Sequence, residues 1–152
     1  MFYDRFRSTG YMTNWLARLM ARAIDTRLKP IGMSSGYMPV MFALAHGAAL
    51  SQRALTEFAA IEQPTMAATL SRMERDGLIV RRADPDDRRA WLYSLSSEGL
   101  EKSIKVREVG REINEAALAG LSESEREAFL AALAKVVDNL ETCLTKARPG
   151  DA

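Results

Sequence analysis

Apolar residues recur along this chain with two different periods, and the order of those periods predicts its architecture. Met12, Trp15, Leu16, Leu19, Met20, Ala23, Ile24 and Leu28 fall on one face at helical spacing, the stripe of a long first helix. Lys29-Pro30 ends it, because the residue before a proline is pushed out of the helical region, and Gly32 extends the break. Ser34 and Ser35 offer the N-cap of a second helix through Met38, Val40, Met41, Phe42, Leu44 and Ala45, with Pro39 predicting an irregular start. His46-Gly47 is expected to close it, glycine suiting a left-handed cap and histidine the negative end of the dipole. Ser51 caps a third helix with Leu55, Phe58 and Ala59 inward. After the corner Ala60-Ile61-Glu62, Gln63-Pro64 opens a fourth helix whose Met66, Leu70 and Met73 face the core. Gln63, Thr65, Ala68, Thr69 and Arg72 are left to its other faces.

The period then changes. Asp76-Gly77 ends the fourth helix, Leu78-Ile79-Val80 starts a β run, Asp84-Pro85-Asp86-Asp87 turns it, and Ala90 to Leu95 returns. Helical spacing resumes after Ser96 or Ser97, in a long fifth helix containing Leu100, Ile104, Val109, Ile113 and Leu118, with Gly110 lowering its intrinsic stability. Ser122-Glu123-Ser124-Glu125 is a capping box. It opens a last helix carrying Phe129, Leu130, Leu133, Val136, Val137, Leu140 and Leu144 on one face. Pro149-Gly150 begins a tail expected to fray. The predicted fold class is mainly α with a small β-hairpin, in one domain over 1–152. A winged helix-turn-helix lobe at 34–96 is flanked by dimerisation helices at 4–30 and 97–147. The first and last helices carry more apolar face than one such lobe can cover, which predicts a homodimer.

Composition narrows the chemistry. The 152 residues suffice for a hydrophobic core. The formal net charge is only +1, but it is uneven. Residues 1–29 carry Arg5, Arg7, Arg18, Arg22, Arg27 and Lys29 against Asp4 and Asp25, while 98–141 is acid-rich, so a basic face can sit inside a near-neutral total. A single cysteine, Cys143, and a single histidine, His46, give neither a disulfide framework nor a Cys/His metal cluster. No nucleophile–base pairing, metal-ligand spacing or glycine-rich phosphate loop is present. Neither an enzyme nor a cofactor is expected. No apolar run approaches the ~18 residues of a membrane span, and no signal-peptide core stands at the N-terminus, so no membrane partner and a cytoplasmic location are expected.

What remains is a surface for DNA. Short polar side chains near the start of a second helix let the backbone approach base edges in a major groove. Gln63, Thr65 and Thr69 are therefore candidate base contacts, and Arg72 a base or phosphate contact. The hairpin adds Arg81, Arg82, Arg88 and Arg89; a guanidinium suits the enhanced negative potential of a narrow minor groove. On an extended strand Asp87 would lie on the same side as Arg89 and could fix its guanidinium by a charge-assisted bond. Arg88 would point away, to a phosphate or to solvent. The plainer reading of the polar residues on the helix alone is that they are solvated.

The run from Met33 to Gly99 resembles the MarR family of bacterial transcription regulators. The marks are Gly77-Leu78-Ile79-Val80-Arg81-Arg82, then Asp84-Pro85-Asp86-Asp87-Arg88-Arg89, then Leu95-Ser96-Ser97-Glu98-Gly99. Ser51-Gln52-Arg53-Ala54-Leu55 is similar to the family's third-helix start, and Thr65-Met66 with Arg72-Met73-Glu74 to its recognition helix. The chain departs from the family at Ala54, where an acid is common, at Ala67 and Ala68, where a hydroxyl and a base are common, and at Thr56. The resemblance implies a homodimer with DNA-binding lobes projecting from a helical body, and Arg89 entering the minor groove. It also implies a small aromatic or phenolic anion as effector between body and lobe, where Trp15, Arg18, Tyr37, Met41 and His46 could meet. The plainer reading gives Trp15 and Met41 to the core, Arg18 to the surface and His46 to a helix cap. Oxidant-sensing members use a first-helix cysteine; Cys143 lies in the last helix and reads as a packing residue. The expected function is a ligand-responsive repressor that binds a near-palindromic double-stranded DNA operator as a homodimer. The alternative is a winged-helix protein-interaction module, against which the arginine-rich wing argues.

Overall fold

The computed structural model describes residues 4–87 and 89–146. Among these residues, six α-helices and three strands follow one another: α1 (Thr9–Leu28), α2 (Met38–Ala43), β1 (Leu50–Ser51), α3 (Gln52–Ala59), α4 (Gln63–Arg75), β2 (Ile79–Ala83), β3 (Trp91–Leu95), α5 (Ser97–Ala117) and α6 (Glu123–Lys146). The sheet is antiparallel in the order β1-β3-β2, with Ile79 opposite Leu95, Ala83 opposite Trp91 and Leu50 opposite Tyr93. The hairpin is thus joined by a third, two-residue strand that the apolar pattern does not announce, since two residues carry no period.

Local chemistry places the ends of the helices. The Ser8 hydroxyl accepts from the Tyr11 amide at 3.3 Å and starts α1. Gly32, at φ 69°, turns the chain after it. Ser34 caps only a single 3-10 turn, Ser35–Tyr37, and the α-helix that follows is six residues long with Pro39 in its first turn. This helix stops at Ala43, so His46 is not its cap. His46 sits in a later turn at φ 61° beside Gly47 at φ 80°. The Ser51 hydroxyl accepts from Ala54 N at 3.2 Å; one orphan amide is satisfied without the acid the family often places at 54.

Leu28, Val40, Met41, Leu44, Leu55, Met66, Leu70, Met73, Leu78 and Ile79 are buried in one core, joined by Val106 and Val109 of α5. The buried face of α5 is Gly99, Ser103, Val106 and Val109. Phe58 of α3, expected inward, is exposed, as are Leu100 and Ile104 of α5. The first turn of α5 lies directly on the start of β2. A Cβ at Gly99 would collide with the Leu78 carbonyl oxygen. The Ser96 hydroxyl accepts from Gly99 N at 3.0 Å and donates to the Gly77 carbonyl at 2.6 Å. This explains why the L-S-x-x-G motif needs both its hydroxyl and its glycine. Gly110 plays a similar part: a Cβ there would stand 3.0 Å from the Met38 methyl.

The chain divides into two compact units, Met1–Asn114 and Glu115–Ala152. The boundary falls inside α5, not at the lobe end near 96. In the second unit the capping box forms as its spacing requires: Ser122 N donates to Glu125 Oε2 at 2.8 Å, and Glu125 N to the Ser122 hydroxyl at 3.4 Å. The Ser122 amide, and then the Ser122 hydroxyl donating to Glu125 Oε2 at 2.9 Å, hold the Glu125 carboxyl below the usual carboxylate range. Arg126 pairs with Glu115 at 2.7 Å. No residue of α6 is buried.

Candidate nucleic-acid interface

Helix α4 is set by its buried side. Met66, Leu70 and Met73 are 0–1% exposed, which fixes the rotation of the helix and turns Gln63, Thr65 and Arg72 to solvent. Thr69 is not among the outward residues. It is 3% exposed, and the three-residue step from Met66 puts it on the inward stripe. Its hydroxyl accepts from the Arg72 guanidinium at 3.3 Å. Thr69 is thus corrected from a base contact to a buried residue that steadies Arg72. Gln63, first in the helix, accepts at Oε1 from Gln52 Nε2 at 3.0 Å.

The wing also corrects the reading of its arginines. The Arg81 Nε lies 3.1 Å from Glu74 Oε1 on α4, and its guanidinium carbon sits 4.8 Å over the Trp91 ring. Arg81 ties β2 to α4 and to β3 while its side chain stays about half exposed. At the tip the chain is not extended. Asp84 N donates to the Ala90 carbonyl at 3.0 Å, and Ala90 N to the Asp87 carbonyl at 2.9 Å. Asp84 Oδ1 accepts from Asp86 N, and Asp87 Oδ1 accepts from Arg89 N, each at 2.9 Å. Asp87 thus holds the backbone of Arg89, not its guanidinium. Within a turn, residues two apart do not share a side as they would on a strand. Arg89 is exposed. Arg88 lies outside the described residues.

Between the start of α3 and the wing lies a cleft of ≈ 400 Å³, with Gln52 and Arg53 on one side and Asp84, Asp87, Arg89 and Trp91 on the other. Arg53 is paired with Glu57 at 3.0 Å. The far end of α4 is braced: the Tyr37 hydroxyl donates to Asp76 Oδ2 at 2.7 Å, and Ser35 N donates to Asp25 Oδ1 of α1 at 2.6 Å. The bond from Tyr37 holds the Asp76 carboxyl below the usual carboxylate range. Burial, and then the same bond, pushes the Tyr37 hydroxyl up.

Of the five candidate effector residues, Arg18, Trp15 and Tyr37 meet other side chains, Met41 is in the core and His46 is exposed. Met41 is 1% exposed in the core, so it can touch no ligand while the core stays closed. Tyr37 is buried and committed to Asp76. Arg18 is exposed and donates to Asn14 at 3.1 Å. Trp15 is half-buried, its ring 6.2 Å from that of Phe6 and 6.0 Å from that of Tyr11. His46 is exposed on its left-handed turn. Among the described residues no group of three or more His, Cys, Asp or Glu could hold a metal ion, and no helix is long and apolar enough to cross a membrane.

The residues that could have revealed these arrangements lie far apart in sequence. Glu74, Arg81 and Trp91 come from a helix and two strands, and Gln52 from the helix before that of Gln63; no single-element period links them.

Comparison with known proteins agrees with this geometry. A family model described as MarR family matches residues 31–90. The chain is 34% identical over 99 residues to the transcriptional regulator HosA of Escherichia coli O111:H-, covering 65% of this chain and 73% of that protein. It is 28% identical over 142 residues to the HTH-type transcriptional repressor IacR of Pseudomonas putida, covering 91% and 85%. Among solved structures, the PcaV transcriptional regulator from Streptomyces coelicolor, in complex with its natural ligand, superimposes with a TM-score of 0.83 at 26% identity, covering 91% of this chain and 97% of that one.

Proposed function

We propose, on the premise that this chain belongs to the MarR family of winged helix-turn-helix transcription regulators, that it is a ligand-responsive repressor acting as a homodimer on a near-palindromic operator. That it is a DNA-binding regulator follows from the family. The single observation that carries the finer reading is the pairing of an exposed α4 start with an exposed wing arginine on the same lobe. Gln63 and Thr65 are the base contacts, Arg72 a base or phosphate contact, and Arg89 the minor-groove contact, its backbone held by Asp87. Repression and a ligand response are supported by what IacR is named for and by the natural ligand bound to PcaV. A small aromatic or phenolic anion remains the effector class of choice. With Met41 in the core and Tyr37 committed to Asp76, such a ligand reaches them only by opening the lobe from α1.

Dimerisation is supported by the exposed apolar residues Leu16 and Leu19 of α1 and Leu130, Val137, Leu140 and Leu144 of α6. A two-fold axis would set two recognition helices about one DNA turn apart, with half-site centres ~10 bp apart. The test is to incubate the purified protein with sheared genomic DNA, sequence what it retains, and repeat the binding across a salt series. One enriched near-palindrome with steep salt dependence is expected. Retention of no preferred sequence contradicts the reading. A panel of aromatic carboxylates added to the retained site then tests the effector: release at micromolar to millimolar ligand supports it, and no release by any member removes it.

A further inference from the structure

We infer that Gln52 and Gln63 form one hydrogen-bonded reading unit for adenine in the major groove, with Gln52 the positioning residue that fixes which way the Gln63 amide faces. The inference rests on the DNA-binding reading above and deepens it by naming the base and the second residue. Gln63 is the first residue of α4 and exposed; Gln52 is the first residue of α3 and half-buried beside the wing cleft. The bond from Gln52 Nε2 to Gln63 Oε1 is 3.0 Å. Both helices are anchored from below, α3 by Leu55 and α4 by Met66, each fully buried. The bond therefore spans two fixed platforms.

A lone surface glutamine is a poor reader. Its side chain has several rotors to immobilise on binding, and its amide can present oxygen or nitrogen to the same spot. The bond to Gln52 opposes that exchange, because the Gln63 amide can turn over only if its partner turns with it. Gln63 Oε1 has two lone pairs, and Gln52 occupies one. The second lone pair and the Nε2 donors remain. Adenine presents an N6 donor beside an N7 acceptor in the major groove, the complement of that pair. Guanine presents two acceptors, O6 and N7, and would set O6 against Oε1. Turning the Gln63 amide to suit guanine breaks this bond unless the Gln52 amide turns as well, so two side chains must reorder instead of one. The discrimination thus depends on a residue that need not touch the base.

The experiment is selection of binding sites from a randomised duplex library by the full chain, as wild type, Gln63→Ala, Gln52→Ala, Gln52→Glu and the double alanine variant. Wild type should enrich adenine at one position per half-site. Gln63→Ala should erase that preference and weaken the best site roughly 5- to 100-fold, the range of one bidentate contact. Gln52→Ala should relax preference at the same position and no other, and the double variant should equal Gln63→Ala, because the pair acts as one unit. Gln52→Glu keeps the shape but offers only acceptors, so it should turn the amide over and lose adenine at that position; its added charge weakens all sequences alike and cannot mimic a change at one base pair. Preserved adenine preference in Gln52→Ala and Gln52→Glu would overturn the inference while leaving DNA recognition intact. A Gln63-dependent position that is guanine also overturns it. A wild type that enriches nothing overturns the regulator reading, and the inference with it.

Discussion

Helices α4 and α6 carry apolar stripes of the same period and use them in opposite ways. In α4, Met66, Leu70 and Met73 vanish into the core of their own unit. In α6, Leu130, Val137, Leu140 and Leu144 are 52–68% exposed, and no residue of the helix is buried. One stripe is satisfied within the chain; the other is held for something outside it, which we propose is a second copy. Two wing arginines repeat the contrast in polar form. Arg81 is satisfied internally by Glu74 and Trp91, whereas Arg89 has only its backbone held and its guanidinium is in none of the ion pairs among the described residues. Within this fold, then, a group's role is decided by whether its own chain already answers its chemistry.

Equal substitutions in the two helices should give unequal results. Leu70→Ala removes a fully buried side chain and should cost about 2–5 kcal/mol, read as a lower urea midpoint. Leu140→Glu should leave the circular dichroism of the fold intact and convert a dimer to a monomer in sedimentation. An unchanged mass for Leu140→Glu would break the comparison, since the α6 stripe would then have no partner to lose.

The arginine pair gives the next largest effect. Arg89→Ala should weaken operator binding and flatten the salt dependence by ~0.9 in log–log slope, one phosphate-equivalent. Asp87→Ala should weaken binding less, although it makes the protein more positive, because the amide of Arg89 loses its acceptor. Tighter binding by Asp87→Ala would show that the cap does not matter. Arg81→Ala should behave differently from Arg89→Ala. It should cost about 1 kcal/mol of stability, the scale of an exposed ion pair with a cation–π contact, and leave the salt slope unchanged. A slope that falls by the same amount as for Arg89→Ala would place Arg81 on a phosphate.

How much of this was legible in the sequence follows the same division. The stripes of α4 and α6, the wing turn at Asp84–Asp87 and the capping box at Ser122 are local patterns, and each stands where its spacing puts it. The hydroxyl of Thr69 suggests a base contact, but its position three residues after Met66 already marks it as inward. The partners of Arg81 lie on other elements, so no local pattern announces them. The inward expectation for Phe58 rests on helical period alone, which marks an apolar face without saying what covers it. The strand pairing of Leu50 and Ser51 and the bond from Gln52 to Gln63 depend on tertiary approach, which no periodicity encodes.

The smallest expected effect concerns the brace at Tyr37. Asp76 has its pKa depressed chiefly by the Tyr37 hydroxyl. A depressed acid contributes stability above its unfolded pKa of about 3.9, and the contribution is lost as pH falls through the lower folded value. Tyr37→Phe should therefore lower stability at neutral pH and flatten the acid-side loss below about pH 4. The alkaline loss above about pH 10, which the raised Tyr37 pKa implies, should vanish with it. Parallel wild-type and Tyr37→Phe curves of urea midpoint against pH would show that this bond is not formed in solution.

The central claim is that the outward stripe and the outward reading surface belong to one symmetric device. A footprint of the purified protein on its own retained DNA tests it most directly. Two equivalent protected half-sites with centres ~10 bp apart, both lost together in Leu140→Glu, is the result expected. A single asymmetric half-site, bound with undiminished affinity by Leu140→Glu, would contradict it.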